Sequence, residues 1–100
     1  MTNRRGDVEI YVNIMEEIRN GTIKPTKIMY ASNISWLPLQ RMLKSLIDNE
    51  LIVESESDEK DGRTDKVYGI TDKGRSVLEY FSKASVLIEQ KRPVEIMSWR

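Results

Sequence analysis

Apolar residues recur at helical spacing in four stretches of the chain and at strand spacing in two. Val8, Tyr11, Ile14, Met15 and Ile18 lie three and four residues apart, which predicts a helix with one inward stripe. Asp7 is suited to cap that helix and Asn20-Gly21 to end it. Pro25 disfavours a helical Lys24 and suits the opening turn of a short second helix, which would carry Ile28, Met29 and Ala31 inward. A break at Ser32-Asn33-Ile34 follows, and the Ser35 hydroxyl is placed to cap a third helix. On that helix Leu39, Leu43, Leu46 and Ile47 share one arc, while Leu37, Gln40, Arg41, Lys44 and Ser45 fall on the other. Pro38 is tolerated in its first turn, and Trp36 projects to the edge of the apolar arc.

Beyond Asp48-Asn49-Glu50 the periodicity changes. Leu51-Ile52-Val53 and Lys66-Val67-Tyr68-Gly69-Ile70 read as strands joined by a polar tip, and hence as a β-hairpin. Thr71 is a suitable cap for a last helix over residues 72–91, before Pro93. Val77, Phe81, Ala84 and Ile88 form its apolar stripe, flanked by Leu78, Tyr80 and Leu87. A helix of about 20 residues spans about 30 Å, longer than a small three-helix core covers. The distal half therefore needs a partner, and the same helix of a second copy is the simplest one.

Two helices joined by a tight break form a helix-turn-helix pattern, and a hairpin directly after it is a wing. The expected fold class is α+β, mainly α: a winged helix-turn-helix of three helices plus a β-hairpin, with a long C-terminal helix. The predicted organisation is an N-terminal arm at 1–6, the winged domain at 7–71, a dimerisation helix at 72–91 and a tail at 92–100. The tail carries Val94, Ile96, Met97 and Trp99, which would be odd in plain disorder.

The 100 residues carry 16 Lys and Arg against 16 Asp and Glu, so the formal charge is zero and any nucleic-acid contact must come from a local patch. Such a patch exists: between Arg19 and Ile47 the charged residues are Arg19, Lys24, Lys27, Arg41 and Lys44, with no acid among them. A locally positive helix pair suits phosphate. Thr26 and Lys27, near the positive end of the second helix, are suited to hold one. Arg4 and Arg5 offer a second, weaker basic arm. With no cysteine, no long apolar run and no hydrophobic signal region at the N-terminus, a cytoplasmic protein is expected. There is no histidine and no phosphate-binding glycine loop, so an enzyme has little support; no cofactor or metal is implied.

Three segments carry a family resemblance: Asn33-Ile34-Ser35-Trp36 before the third helix, Leu43 to Ile52 at its end, and Val67 to Glu79. The last includes Tyr68, Ile70, Thr71 and Gly74 in a Tyr-x-Ile-Thr-x-x-Gly pattern. Together they resemble small archaeal winged-helix transcriptional regulators, including those whose last helix forms an antiparallel coiled coil. The resemblance runs from about Asp7 to Gln90. It implies a homodimer that binds double-stranded DNA in a sequence-specific manner. Two features depart from the pattern: Glu50 stands where relatives often have glycine, and the wing is acidic. From Glu54 to Lys66 six acids face Lys60, Arg63 and Lys66, which weakens the wing as a phosphate clamp, although Arg63 still suits a minor groove.

The expected DNA contacts are Lys24, Thr26, Lys27, Ser35, Trp36, Leu37, Gln40, Arg41, Lys44 and Arg63; the expected dimer seam is Val77, Phe81, Ala84 and Ile88. A winged-helix adaptor that binds protein and not DNA is the alternative, favoured by the neutral charge and the acidic wing.

Overall fold

In the computed structural model, which describes residues 6–58 and 64–89, three helices are followed by a hairpin and a fourth helix. Arg4, Arg5, the wing tip with Arg63, and the tail lie outside the described residues. The elements are α1 (Asp7–Arg19), α2 (Pro25–Ser32), α3 (Trp36–Asp48), β1 (Ile52–Asp58), β2 (Thr64–Ile70) and α4 (Asp72–Glu89). The strands pair antiparallel from Ile52–Ile70 to Asp58–Thr64. They run further toward the tip than the apolar runs alone predict, because the ladder continues through the polar residues Glu54 to Asp58.

One core joins all four helices to the sheet. It contains Val12, Ile14, Met15 and Ile18 of α1, Ile28 of α2, Leu39, Leu43 and Leu46 of α3, Ile52 and Tyr68 of the hairpin, and Leu78 of α4. Each fully buried aliphatic side chain contributes about 1.5–3 kcal/mol through removal from water. No described helix is long and apolar enough to cross a membrane.

Four sequence expectations need correction. Gly6, not Asp7, is the N-cap of α1, and its carbonyl accepts from the Ile10 amide at 3.2 Å. Val8 lies on the predicted stripe but is 62% exposed, while Val12, one turn on, is buried. On α2 the inward position is Ser32, which is buried, and Ala31 faces out. Ser35 occupies the N-cap of α3, yet its hydroxyl makes no capping bond. Of the second and third helical residues, whose amides such a hydroxyl would bind, the third is Pro38, which has no N–H.

The first three helices end in the same geometry. Thr22, Ile34 and Leu51 each return an amide hydrogen bond to a carbonyl five residues back, those of Glu17, Met29 and Leu46 at 2.8, 3.3 and 2.9 Å. The residue before each has positive φ: Gly21 at 105°, Asn33 at 56° and Glu50 at 64°. These are Schellman-type ends, which satisfy the last carbonyls and turn the chain sharply. The turn at Asn33 sets the angle between α2 and α3. The one at Glu50 delivers the chain into the wing.

Candidate nucleic-acid interface

The outward strip of α3 carries the first candidate contacts. Leu37, Arg41 and Lys44 follow one another at steps of four and three and are all exposed, because Leu39, Leu43 and Leu46 anchor the opposite face in the core. Leu37 retains 65% of its surface exposure, which is available for apolar contact with a thymine methyl. Asp48 continues the strip one turn beyond Lys44 and accepts from its ammonium at 3.3 Å. Gln40 does not share this strip. It is half-buried in a crevice of about 340 Å³ between α3 and the root of the wing, with Leu43, Lys44, Ile47, Glu54, Lys66 and Tyr68.

That crevice is shaped by the hairpin. Tyr68 is buried, and its hydroxyl donates to a Glu54 carboxylate oxygen across the strand pair at 2.9 Å. Burial, that hydrogen bond and the Glu54 charge push the phenol well above its ordinary range, so it stays a donor. The Tyr68 amide points the other way, to the Ile23 carbonyl at 3.0 Å, which ties the segment before α2 to the outer edge of the sheet. Lys66 lies 3.8 Å from the same Glu54 oxygen.

Lys24 precedes α2 and forms an ion pair with Asp65 of β2 at 3.7 Å. Sequence reasoning treated the basic helix pair and the acidic wing as separate patches. The structure joins them at one ion pair, Lys24 with Asp65, while Lys44 pairs with Asp48 within α3 and Lys66 with Glu54 within the hairpin. Lys27 and Arg41 are exposed and have no carboxylate partner among the described residues. Thr26 is exposed in the first turn of α2, beside Lys27.

Trp36 is 43% exposed and flanks an open groove at the turn between α2 and α3, shared with Met29, Tyr30, Asn33, Ile34 and Ser35. Tyr30, absent from the sequence-predicted set, is 77% exposed there. Its signal was available: it sits on α2 opposite Ile28, where an apolar stripe leaves no room for it.

The expected dimer seam divides in two. Val77 and Phe81 are partly buried against the domain's own core, beside Leu78, while Ala84 and Ile88 are exposed. The apolar surface that α4 leaves uncovered is formed by Tyr80, Leu87 and Ile88 around Ala84, with Val86 exposed beside Leu87.

With this geometry in place, comparisons with known proteins align with it. A family model described as winged helix-turn-helix matches residues 4–89. An uncharacterized protein of Methanocaldococcus jannaschii is 34% identical over 85 residues, which are 85% of this chain and 36% of that protein. The chain thus spans about a third of the length of the curated relative it matches. Among solved structures, a PadR-like transcriptional regulator from Bacillus cereus is similar with a TM-score of 0.72 at 21% identity, over 79% of this chain and 82% of that one. Sso10a-2, a DNA-binding protein from Sulfolobus solfataricus, gives 0.66 at 24% identity, over 85% and 83%. Bacillus subtilis PadR in complex with operator DNA gives 0.64 at 19% identity, over 86% and 50%.

Proposed function

The chain belongs to the winged helix-turn-helix family, and on that footing we propose that it binds double-stranded DNA through α3 and regulates transcription as a homodimer paired through α4. The observation that carries this reading is the outward strip of Leu37, Arg41 and Lys44, held out by a buried opposite face within a segment that contains no acid. Arg41 has no carboxylate partner among the described residues and is the base reader, because its guanidinium fits the two acceptors of guanine in the major groove. Leu37 supplies apolar contact, and Gln40 and Ser35 supply polar contacts at the two sides of the helix. Lys24, Thr26, Lys27 and Lys44 meet phosphates and fix the register. Arg63 and Trp36 contribute at the edges. That proteins of the same fold include one solved on operator DNA and another described as DNA-binding supports this reading. A cytoplasmic location fits this reading.

The dimer rests on α4. Its 18 residues span about 27 Å, and Tyr80, Ala84, Leu87 and Ile88 present an uncovered stripe on successive turns. Pairing about a two-fold axis buries that stripe and sets the separation of two recognition helices. Val77 and Phe81 then support the seam from within the domain.

A mobility-shift titration with random duplex at low and moderate salt tests the reading. Retarded duplex at low salt, released as salt rises, is the expected result, since phosphate contacts exchange with counterions. Failure to bind at either salt by folded protein would overturn it in favour of a protein-binding winged helix.

A further inference from the structure

We propose that the groove at the turn between α2 and α3 is a stacking site for unpaired nucleobases, so that the protein also holds single-stranded DNA. The groove, of about 450 Å³, is open, and it is lined by Tyr30 and Trp36 together with Met29, Ile34, Asn33 and Ser35. Two exposed aromatic rings in one groove are costly to leave in water, and a base stacks on either without regard to its identity. The Tyr30 and Trp36 side chains make no hydrogen bond among the described residues, so neither ring is committed to the fold in that way.

Charge selects nucleic acid as the occupant. None of the groove residues is acidic, and all of them lie in the stretch from Arg19 to Ile47, which contains no Asp or Glu. Of the two cations of the helix pair that lack a carboxylate partner among the described residues, one flanks the groove. Lys27 lies one turn before Tyr30 on α2, whereas Arg41, five residues beyond Trp36 on α3, is turned about 140° away from it. Residues three or four apart on a helix are neighbours on its surface, so Lys27 flanks the Tyr30 ring. A strand whose backbone passes Lys27 can turn its bases toward the two rings. An aromatic platform beside a cation is the general pattern of sequence-tolerant single-strand binding. This inference shares Lys27 and Trp36 with the duplex reading but requires Tyr30, which the duplex reading does not.

The test uses the full chain carrying Trp99→Phe, so that Trp36 is the sole tryptophan. It is titrated with a 12-nucleotide oligothymidine, with the same oligomer made abasic, and with a 12-base-pair random duplex. Quenching of Trp36 that saturates with oligothymidine and binding at least about tenfold weaker to the abasic strand are expected. Tyr30→Leu should weaken single-strand binding about tenfold and change duplex binding less than twofold, with unaltered thermal unfolding. Equal affinity for the abasic strand, or single-strand affinity unmoved by Tyr30→Leu, overturns the proposal. Failure of duplex binding alone, with oligothymidine still quenching Trp36, removes the regulator reading and leaves this one standing.

Discussion

The Thr71 hydroxyl accepts a hydrogen bond from the Gly74 amide at 2.9 Å, which caps α4, while the same oxygen lies 2.8 and 3.0 Å from the carbonyls of Glu50 and Leu51. One side chain thus joins the end of α3, the root of the wing and the start of α4. Gly74 is confined by that junction, since a Cβ there would collide with the Leu51 carbonyl oxygen and with Ile70 Cδ1. The Tyr-x-Ile-Thr-x-x-Gly pattern therefore has a physical reading residue by residue: Tyr68 fills the core and holds Glu54, Ile70 packs beside Gly74, Thr71 caps, and Gly74 permits the close approach.

Gly74→Ala should lower stability by about 1–3 kcal/mol, the usual cost of forcing atoms into packed space. Thr71→Ala should cost about 1–2 kcal/mol through the lost cap. Urea unfolding followed by circular dichroism measures both. A Gly74→Ala protein as stable as the wild type would contradict this account of the junction.

Glu50→Gly should raise stability by about 1 kcal/mol, because Glu50 holds φ at 64° and a left-handed conformation costs an L-residue about 1–2 kcal/mol that glycine avoids. The Glu50 carbonyl that meets Thr71 belongs to the backbone and survives the change. The check is a rise in the thermal midpoint of a few degrees, against no rise for Glu50→Ala.

Much of this architecture was legible in the sequence, and the misreadings have physical causes. The identity of each helix followed from periodicity, and the cap at Thr71 from residue type. Val8 was misplaced because periodicity finds the face of a helix but not where the neighbouring elements stop covering it. Ser32 was missed because its angular position is inward while its hydroxyl is polar. The cap at Ser35 has one of its two possible donors removed, since Pro38 has no N–H. The pairing of Lys24 with Asp65, which lie 41 positions apart, joins segments that no local pattern relates.

The Lys24–Asp65 and Lys66–Glu54 ion pairs carry the third prediction. Asp65→Asn together with Glu54→Gln should tighten binding to random duplex by about three- to tenfold, as exposed pairs are worth about 0.2–1 kcal/mol each, and should steepen its dependence on salt. Glutamine keeps an acceptor for the Tyr68 hydroxyl, so the fold should be preserved. Unchanged affinity would show that the wing acids do not restrain Lys24 and Lys66.

Ile88, 79% exposed on α4, carries the fourth prediction. Ile88→Lys places a charge in the proposed seam, where desolvation without a partner costs several kcal/mol, so dimers should dissociate. Sedimentation equilibrium across the micromolar range measures the shift toward the monomer mass of 11.7 kDa. A wild-type protein at monomer mass throughout would contradict pairing through α4, and with it a two-fold symmetric site.

The central claim, that the outward strip of α3 reads DNA, is tested most directly by comparing Arg41→Ala and Lys44→Ala on the duplex selected by the wild-type protein from a random pool and on scrambled duplex. Arg41→Ala should lose about 1–3 kcal/mol on the selected site and little on the scrambled one, whereas Lys44→Ala, already countered by Asp48, should weaken both to a similar and smaller extent. Folded Arg41→Ala protein that still prefers the selected duplex as strongly as the wild type would contradict the claim.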